Sequence, residues 1–249
     1  MDPWFAVEGQ GSPVVLLHGG LSDSTGWVMQ TSALAQRHRI FTYDRRGHGR
    51  TADTDAPFSY DDMASETIAF IEHVVGEPAA LVGWSDGGIV SLLVSLRRPD
   101  LVPRQVLIGA NFNHTGLVEG FDPGDDPDAE AVAVFKGLYE ASAIDPSHWP
   151  EFYAKSMRLW REEPDFTVDD VARVSVPTLV LVGDDEAVRI DHTVALYEAL
   201  PEGQLAVVPG TSHVLTLEKP AIVNQLILEF LAETGPPITM LPIRRGAPS

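Results

Sequence analysis

The stretch GWSDGG, Gly83 to Gly88, sets one serine among three glycines, between the apolar run AALV and the helix-like run IVSLLVSL. A serine hydroxyl attacks a carbonyl only when a base takes its proton and its oxygen stands clear of the backbone. The pattern Gly83-Trp84-Ser85-Asp86-Gly87 meets the second need, because a strand-to-helix turn too tight for flanking side chains lifts the central residue above the sheet. Attack would create an oxyanion, which needs fixed donors already in place. The amide of Asp86 is one candidate. The second is the amide of Gly20 in LLHGGLSDS, with Leu21 as the alternative.

The base has to come from eight histidines. His213, in VVPGTSHVL, falls in a loop between the last strand and the last helix, where an α/β sheet lines its active crevice. His18 and His48 sit beside glycines and read as loop structure, while His38, His73, His114, His148 and His192 have no constellation around them. The orienting carboxylate should follow the strand TLVLVG, where Asp184, Asp185 and Glu186 stand in a row. Residue order, nucleophile then acid then histidine, is the one expected with a nucleophile elbow.

Positioning these residues requires a particular scaffold. Six short apolar runs, at 13–19, 39–44, 79–84, 104–110, 178–183 and 204–210, alternate with helical patterns at about 24–37, 60–76, 87–98, 191–200 and 218–233. Alternation of this kind predicts an α/β fold with a mostly parallel, doubly wound sheet and helices on both faces. Asp191 is the expected N-cap of the fourth helix. Between about 114 and 174 the pattern loses its strands and keeps its helices, which predicts a helical cap inserted into a core formed by 1–113 and 175–233. That insertion carries 14 acidic and five basic side chains, about half of the net charge. Its aromatics Phe135, Tyr139, Trp149, Phe152, Tyr153 and Trp160 are candidate pocket residues, although helical spacing favours packing for most of them. The Pro-rich tail, 234–249, predicts an extended segment.

Composition narrows the chemistry. Seventeen Lys and Arg against 36 Asp and Glu give 17 − 36 = −19, a balance unsuited to a nucleic-acid groove. There are no cysteines, so thiolate catalysis and disulfides are excluded. No metal-ligand spacing occurs, and Asp44 and His48 in YDRRGHG read as a structured loop. The expectation is a cofactor-independent, cytoplasmic protein with a small-molecule substrate and no membrane or nucleic-acid partner; its oligomeric state is not legible.

The HGG loop, FTYDRRGHGRT, VGWSDGG, LVGDDEAV and PGTSH followed by LEKP together resemble the serine-hydrolase branch of the α/β-hydrolase superfamily over nearly the whole chain. Within it, GWSDGGIVSLLVSLRRPDLV and IGANFN are similar to the valacyclovir hydrolase group and related bacterial esterases. The resemblance implies an acid three residues beyond Gly183, which is Glu186 where most relatives carry aspartate, with Asp185 as the second choice. It also implies that the Asp86 side chain contacts substrate, holding an α-ammonium group; pairing with the scaffold is the equal alternative. Trp84, on the other side of the nucleophile, is the second candidate substrate contact. The implied activity is hydrolysis of a small carboxylic ester, including an α-amino acid ester or lactone, through an acyl-enzyme on Ser85. Perhydrolysis, C–C bond hydrolysis and a receptor with a vestigial triad are the alternatives, whereas dehalogenase and epoxide hydrolase relatives use aspartate where this chain has Ser85. Relatives commonly carry two antiparallel strands before PVVLLHG, so the dozen residues here predict a shortened sheet edge.

Overall fold

The computed structural model describes residues 2–235, 237 and 239–241. Six apolar runs form the strands β2 (Pro13–Leu17), β3 (Arg39–Tyr43), β4 (Ala80–Trp84), β5 (Gln105–Ile108), β6 (Thr178–Asp185) and β7 (Gly203–Ser212). They pair in parallel, in the order β3-β2-β4-β5-β6-β7. A short strand β1 (Phe5–Glu8) adds antiparallel to β3, so the edge has one such strand. All four of its residues are exposed, and no apolar alternation marked it in the sequence.

Alternate strand residues feed two cores, as the period-two geometry of a strand requires. Val15 and Leu17 face the helices α2 (Tyr60–Phe70) and α3 (Asp86–Arg97), whereas Val14 and Leu16 face Trp27, Leu34 and helix α9 (Pro220–Ala232). Both faces are covered, which explains why the strands read as continuous apolar runs rather than alternating ones. The doubly wound α/β architecture with a helical cap is therefore the observed one.

Three helices differ from their sequence outlines. The segment 24–37 forms a 3₁₀ turn at Ser24–Trp27 and a single-turn helix α1 (Thr31–Leu34). Tertiary bonds interrupt it: Asp44 accepts from the Ser24 amide at 2.9 Å, and the buried Gln30 amide donates to the Thr216 carbonyl at 2.8 Å. The final helix splits at Pro220 into α8 (Leu215–Glu218) and α9, since the proline forces Lys219 out of helical conformation. Helix α7, Ile190–Ala199, is capped at Arg189 rather than Asp191. Asp191 sits inside the first turn, where its carboxylate accepts from the His192 amide at 2.9 Å and faces the positive helix end.

Between β5 and β6 the chain forms helices α4 (Ala133–Ser142), α5 (Trp149–Glu162) and α6 (Val168–Val171). Tyr139, Trp149, Phe152 and Tyr153 stack with ring centroids 4.5–5.9 Å apart and form the cap interior. The cap is fastened to the core at Asp53, whose carboxylate accepts from Lys155 Nζ at 2.8 Å and contacts His148 Nε2 at 2.9 Å. Most of the tail expectation for 234–249 lies outside the described residues. Among the described residues no helix is long and apolar enough to cross a membrane.

Three histidines are folded into this frame as neutral rings. Burial and the Arg45 charge hold His18 well below its ordinary range and His48 at about 3, and burial with the Arg189 charge brings His192 to about 4. The unfolded chain binds protons on these rings near pH 6.5 while the folded chain does not, so their stability contribution is complete above that pH and is lost as pH falls. Denaturation midpoints are expected to decline steadily from pH 7 to 5, above the carboxylate range, and His192→Gln should flatten the slope. An unchanged midpoint across that window would contradict the neutral assignment.

Candidate active site

The residues singled out in sequence converge at the carboxyl ends of the parallel strands. His18, Gly19 and Gly20 follow β2, Ser85 follows β4, Gly109 follows β5, Glu186 follows β6 and His213 follows β7. Ser85 has φ 53° and ψ −119°, a conformation rare for a residue with a side chain. The turn that enforces it leaves no room beside it: a Cβ on Gly83 would lie 2.2 Å from the Gly87 carbonyl oxygen, and one on Gly87 would lie 2.0 Å from that of Leu17. Helix α3 begins at Asp86, so the Asp86 amide is among the donors that no helical carbonyl can accept.

His213 and Glu186 are in direct contact through Nδ1 and Oε1. Glu186 is nearly covered, with 4% of its side chain exposed, and its oxygens also accept from the Ala187 amide at 2.8 Å and the Gly183 amide at 3.4 Å. Burial pushes the Glu186 carboxyl up, but the His213 hydrogen bond and charge together with those two amides outweigh it and leave it below its ordinary range. Asp185 is exposed, and Asp184 is spent on the Thr211 amide at 3.1 Å. Of the three acids, Glu186 alone meets the imidazole. Trp84 lies against it as well: its indole donates to the His213 carbonyl at 2.9 Å, and the two rings are 6.1 Å apart.

Asp86 is buried, with 4% exposed. Its carboxylate accepts from the Tyr60 hydroxyl at 2.9 Å and from the Trp160 indole at 3.0 and 3.2 Å. Two neutral donors, one from α2 and one from the cap, thus serve this charge. Burial and the adjacent Asp86 charge in turn push the Tyr60 hydroxyl well above its ordinary range. Tyr60 also ties in Glu163, which accepts the Tyr60 amide at 2.9 Å. The cap presses on the HGG loop here, since a Cβ on Gly20 would lie 2.4 Å from the Trp160 ring and 2.6 Å from Asp86 Oδ2.

Ser85, His213, Gly20, Leu21, Trp84 and Asp86 all line one cavity of about 460 Å³, within the ordinary range for a small-molecule site. The cap contributes Phe135, Tyr139 and Trp160 of the six expected aromatics, with Leu117, Val134 and Leu138, and the core adds Val28, Val188 and Leu217. Its acidic lining residues are Asp23, Asp86 and Glu163, and among the described residues the lining includes no lysine or arginine. Tyr60, Gly109, Asn111 and Glu163 escaped sequence reasoning. Only Gly109 carried a local signal, a glycine ending the strand LIGA, where φ is +57° and a Cβ would come within 3.0 Å of His213 Nδ1.

Comparison with known proteins agrees with this architecture. Residues 14–226 match the model of the alpha/beta hydrolase family. A non-heme haloperoxidase of Rhodococcus erythropolis is 28% identical over 261 residues, covering 90% of this chain and 93% of that one. Among solved structures, a meta-cleavage product hydrolase from Pseudomonas fluorescens IP01 superposes with a TM-score of 0.79 at 24% identity, over 94% of this chain and 95% of the other. A thermophilic esterase from Thermogutta terrifontis superposes with a TM-score of 0.76 at 25% identity, over 92% of each chain.

Proposed function

The chain belongs to the alpha/beta hydrolase family, and from that premise we propose that it is a serine hydrolase for small, uncharged carboxylic esters with an apolar substituent. The observation that carries this reading is the cavity. Ser85, His213 with Glu186 behind it, and two candidate oxyanion residues meet at one apolar-walled chamber that holds carboxylates and, among the described residues, no basic side chain apart from histidine.

The geometry supports the following mechanism. Glu186 accepts from Nδ1–H of His213, which leaves Nε2 unprotonated and free to act as the base. His213 takes the Ser85 proton as Oγ forms a bond to the ester carbonyl carbon, and the Glu186 charge stabilises the imidazolium that results. The amides of Gly20 and Asp86 receive the oxyanion. Collapse of the tetrahedral species breaks the C–O bond, and His213 hands its proton to the departing alcohol. Water, deprotonated by the same histidine, then releases the acid from Ser85.

The lining gives the substrate its charge. A carboxylate-bearing ester would enter a chamber where no lysine or arginine among the described residues receives it, beside Asp23, Asp86 and Glu163, at a desolvation cost left uncompensated. An α-ammonium group is not needed to satisfy Asp86, because Tyr60 and Trp160 already donate to it. This favours the scaffold role for that side chain over the amine-holding role suggested by the valacyclovir hydrolase resemblance. Three esters of one alcohol separate the possibilities: a valyl ester, its desamino counterpart and a hemisuccinate. The desamino ester should give the highest kcat/KM, and the hemisuccinate should be lower by at least about tenfold, or ~1.4 kcal/mol of transition-state stabilisation. Preference for the hemisuccinate would overturn the charge argument, and preference for the valyl ester would restore the amine.

The likeness to a haloperoxidase supports a second reading, in which hydrogen peroxide replaces water in attacking the same acyl-enzyme and releases a peracid. Peracid yield measured against acid yield at rising peroxide distinguishes the two.

A further inference from the structure

We propose that Arg45 is a positioning residue for the oxyanion site: its buried guanidinium grips the Gly19–Gly20 peptide from behind and thereby aims the Gly20 N–H at the carbonyl attacked by Ser85. The proposal rests on the reading of Gly20 as an oxyanion donor given above.

Arg45 lies just beyond β3 and is 1% exposed. A buried guanidinium is ordinarily paired with a carboxylate. This one directs its hydrogen bonds instead to the HGG loop, Nη1 to the His18 carbonyl and Nη2 to the Gly19 carbonyl at 3.1 Å. Its Nε is buried with no acceptor among the described residues. The Arg45 main-chain amide donates to His18 Nε2 at 3.1 Å, which fixes the neutral ring as the Nδ1–H tautomer. That proton is then donated to the same Gly19 carbonyl, at 2.8 Å. Gly19 O thus accepts two bonds, one of them from a cation.

A trans peptide is planar, and its C=O and N–H point in opposite directions. The Gly19 carbonyl and the Gly20 N–H belong to one peptide unit. Anchoring the oxygen toward Arg45 therefore turns the N–H the other way, to the side on which Gly20 and Ser85 line the cavity. The second Arg45 bond, to His18 O, holds the preceding peptide and stops the loop from rotating about Gly19. A cation at the carbonyl oxygen also polarises the peptide toward the charge that develops in the transition state, since charge-assisted bonds are roughly twice as strong as neutral ones. Asp86 supports Arg45 from a distance: burial lowers the Arg45 pKa and the Asp86 charge opposes that shift most. The residue that offers the other oxyanion amide thus also carries the charge that most favours this buried cation.

The test compares wild type, Arg45→Met, Arg45→Lys and His18→Ala on a neutral aryl ester, with kcat corrected by active-site titration with a fluorophosphonate and Tm recorded for each. A matching aryl trifluoromethyl ketone, which adds to Ser85 and places an oxyanion in the site, supplies the second readout. Arg45→Met is expected to lower kcat by about 10²-fold, the scale of losing one oxyanion donor, with KM within about threefold. Its affinity for the ketone should fall by the same factor as kcat/KM, Arg45→Lys should recover part of both, and His18→Ala should lose a smaller share in the same pattern. Kinetics per active site and ketone affinity equal to wild type in Arg45→Met would overturn the proposal, whatever the change in Tm. Should Arg45→Met fail to fold, an unaltered ketone affinity in both Arg45→Lys and His18→Ala would overturn it as well. A wild-type protein with neither ester turnover nor Ser85 labelling would instead refute the hydrolase reading on which the proposal stands.

Discussion

Ser85→Ala is expected to lower kcat on a neutral ester by about a million-fold, since removing the nucleophile from a serine triad costs nearly as much as removing the whole unit. The variant should fold, because Ser85 contributes strain rather than support to its turn. Alanine at φ 53° carries no greater steric burden than serine, and the close contacts of the elbow are made at Gly83 and Gly87. Unchanged Tm with abolished turnover and abolished fluorophosphonate labelling is the expected set. Turnover within tenfold of wild type would end the acyl-enzyme reading.

Glu186→Gln is expected to cost roughly three to four orders of magnitude in kcat, the scale seen when a triad acid loses its charge but keeps its shape. Both carboxylate oxygens already accept main-chain amides, Oε1 from Ala187 and Oε2 from Gly183, and Oε1 also meets His213. A glutamine must set its NH₂ against one of these donors, and in either orientation the charge that stabilises the imidazolium is gone. Asp185→Asn makes the control: this exposed side chain should change kcat by no more than about twofold, as surface substitutions usually do. A large loss from Asp185→Asn with a small one from Glu186→Gln would reverse the assignment.

What could be read in the chain before its structure follows from the range of the forces involved. The parallel strands announce themselves because burial on both faces demands unbroken apolar runs, and the elbow does so because its glycines recur at fixed local spacing, although only Gly83 is required by a contact within a few residues while Gly87 is required by the Leu17 carbonyl of β2. The short strand Phe5–Glu8 has no such signature, since main-chain pairing with β3 and an edge contact of the Phe5 ring with Phe70 hold it while all four residues stay exposed. The Asp191 expectation failed by two positions, because an aspartate fits inside a first turn as well as at the N-cap and local sequence does not say which residue the helix begins after. Among the three consecutive acids, residue type could not choose; the choice depends on which carboxylate the β6–β7 ends bring to His213. The partners of Asp86 were beyond reach for the same reason, as Tyr60 and Trp160 are 26 and 74 positions away.

The grip of the cap on the nucleophile helix bears on how this scaffold could be re-engineered. Trp160 is a cap residue, yet its indole donates to the side chain of the residue directly after Ser85. Replacing residues 114–174 wholesale with the insertion of a relative that lacks such a donor would leave the buried carboxylate beside the reacting centre with Tyr60 but without its cap partner, so the cap is not a freely exchangeable module. New specificities are better sought on α4, where Val134, Phe135 and Leu138 line the cavity through apolar surface and can be varied without disturbing the charge beneath.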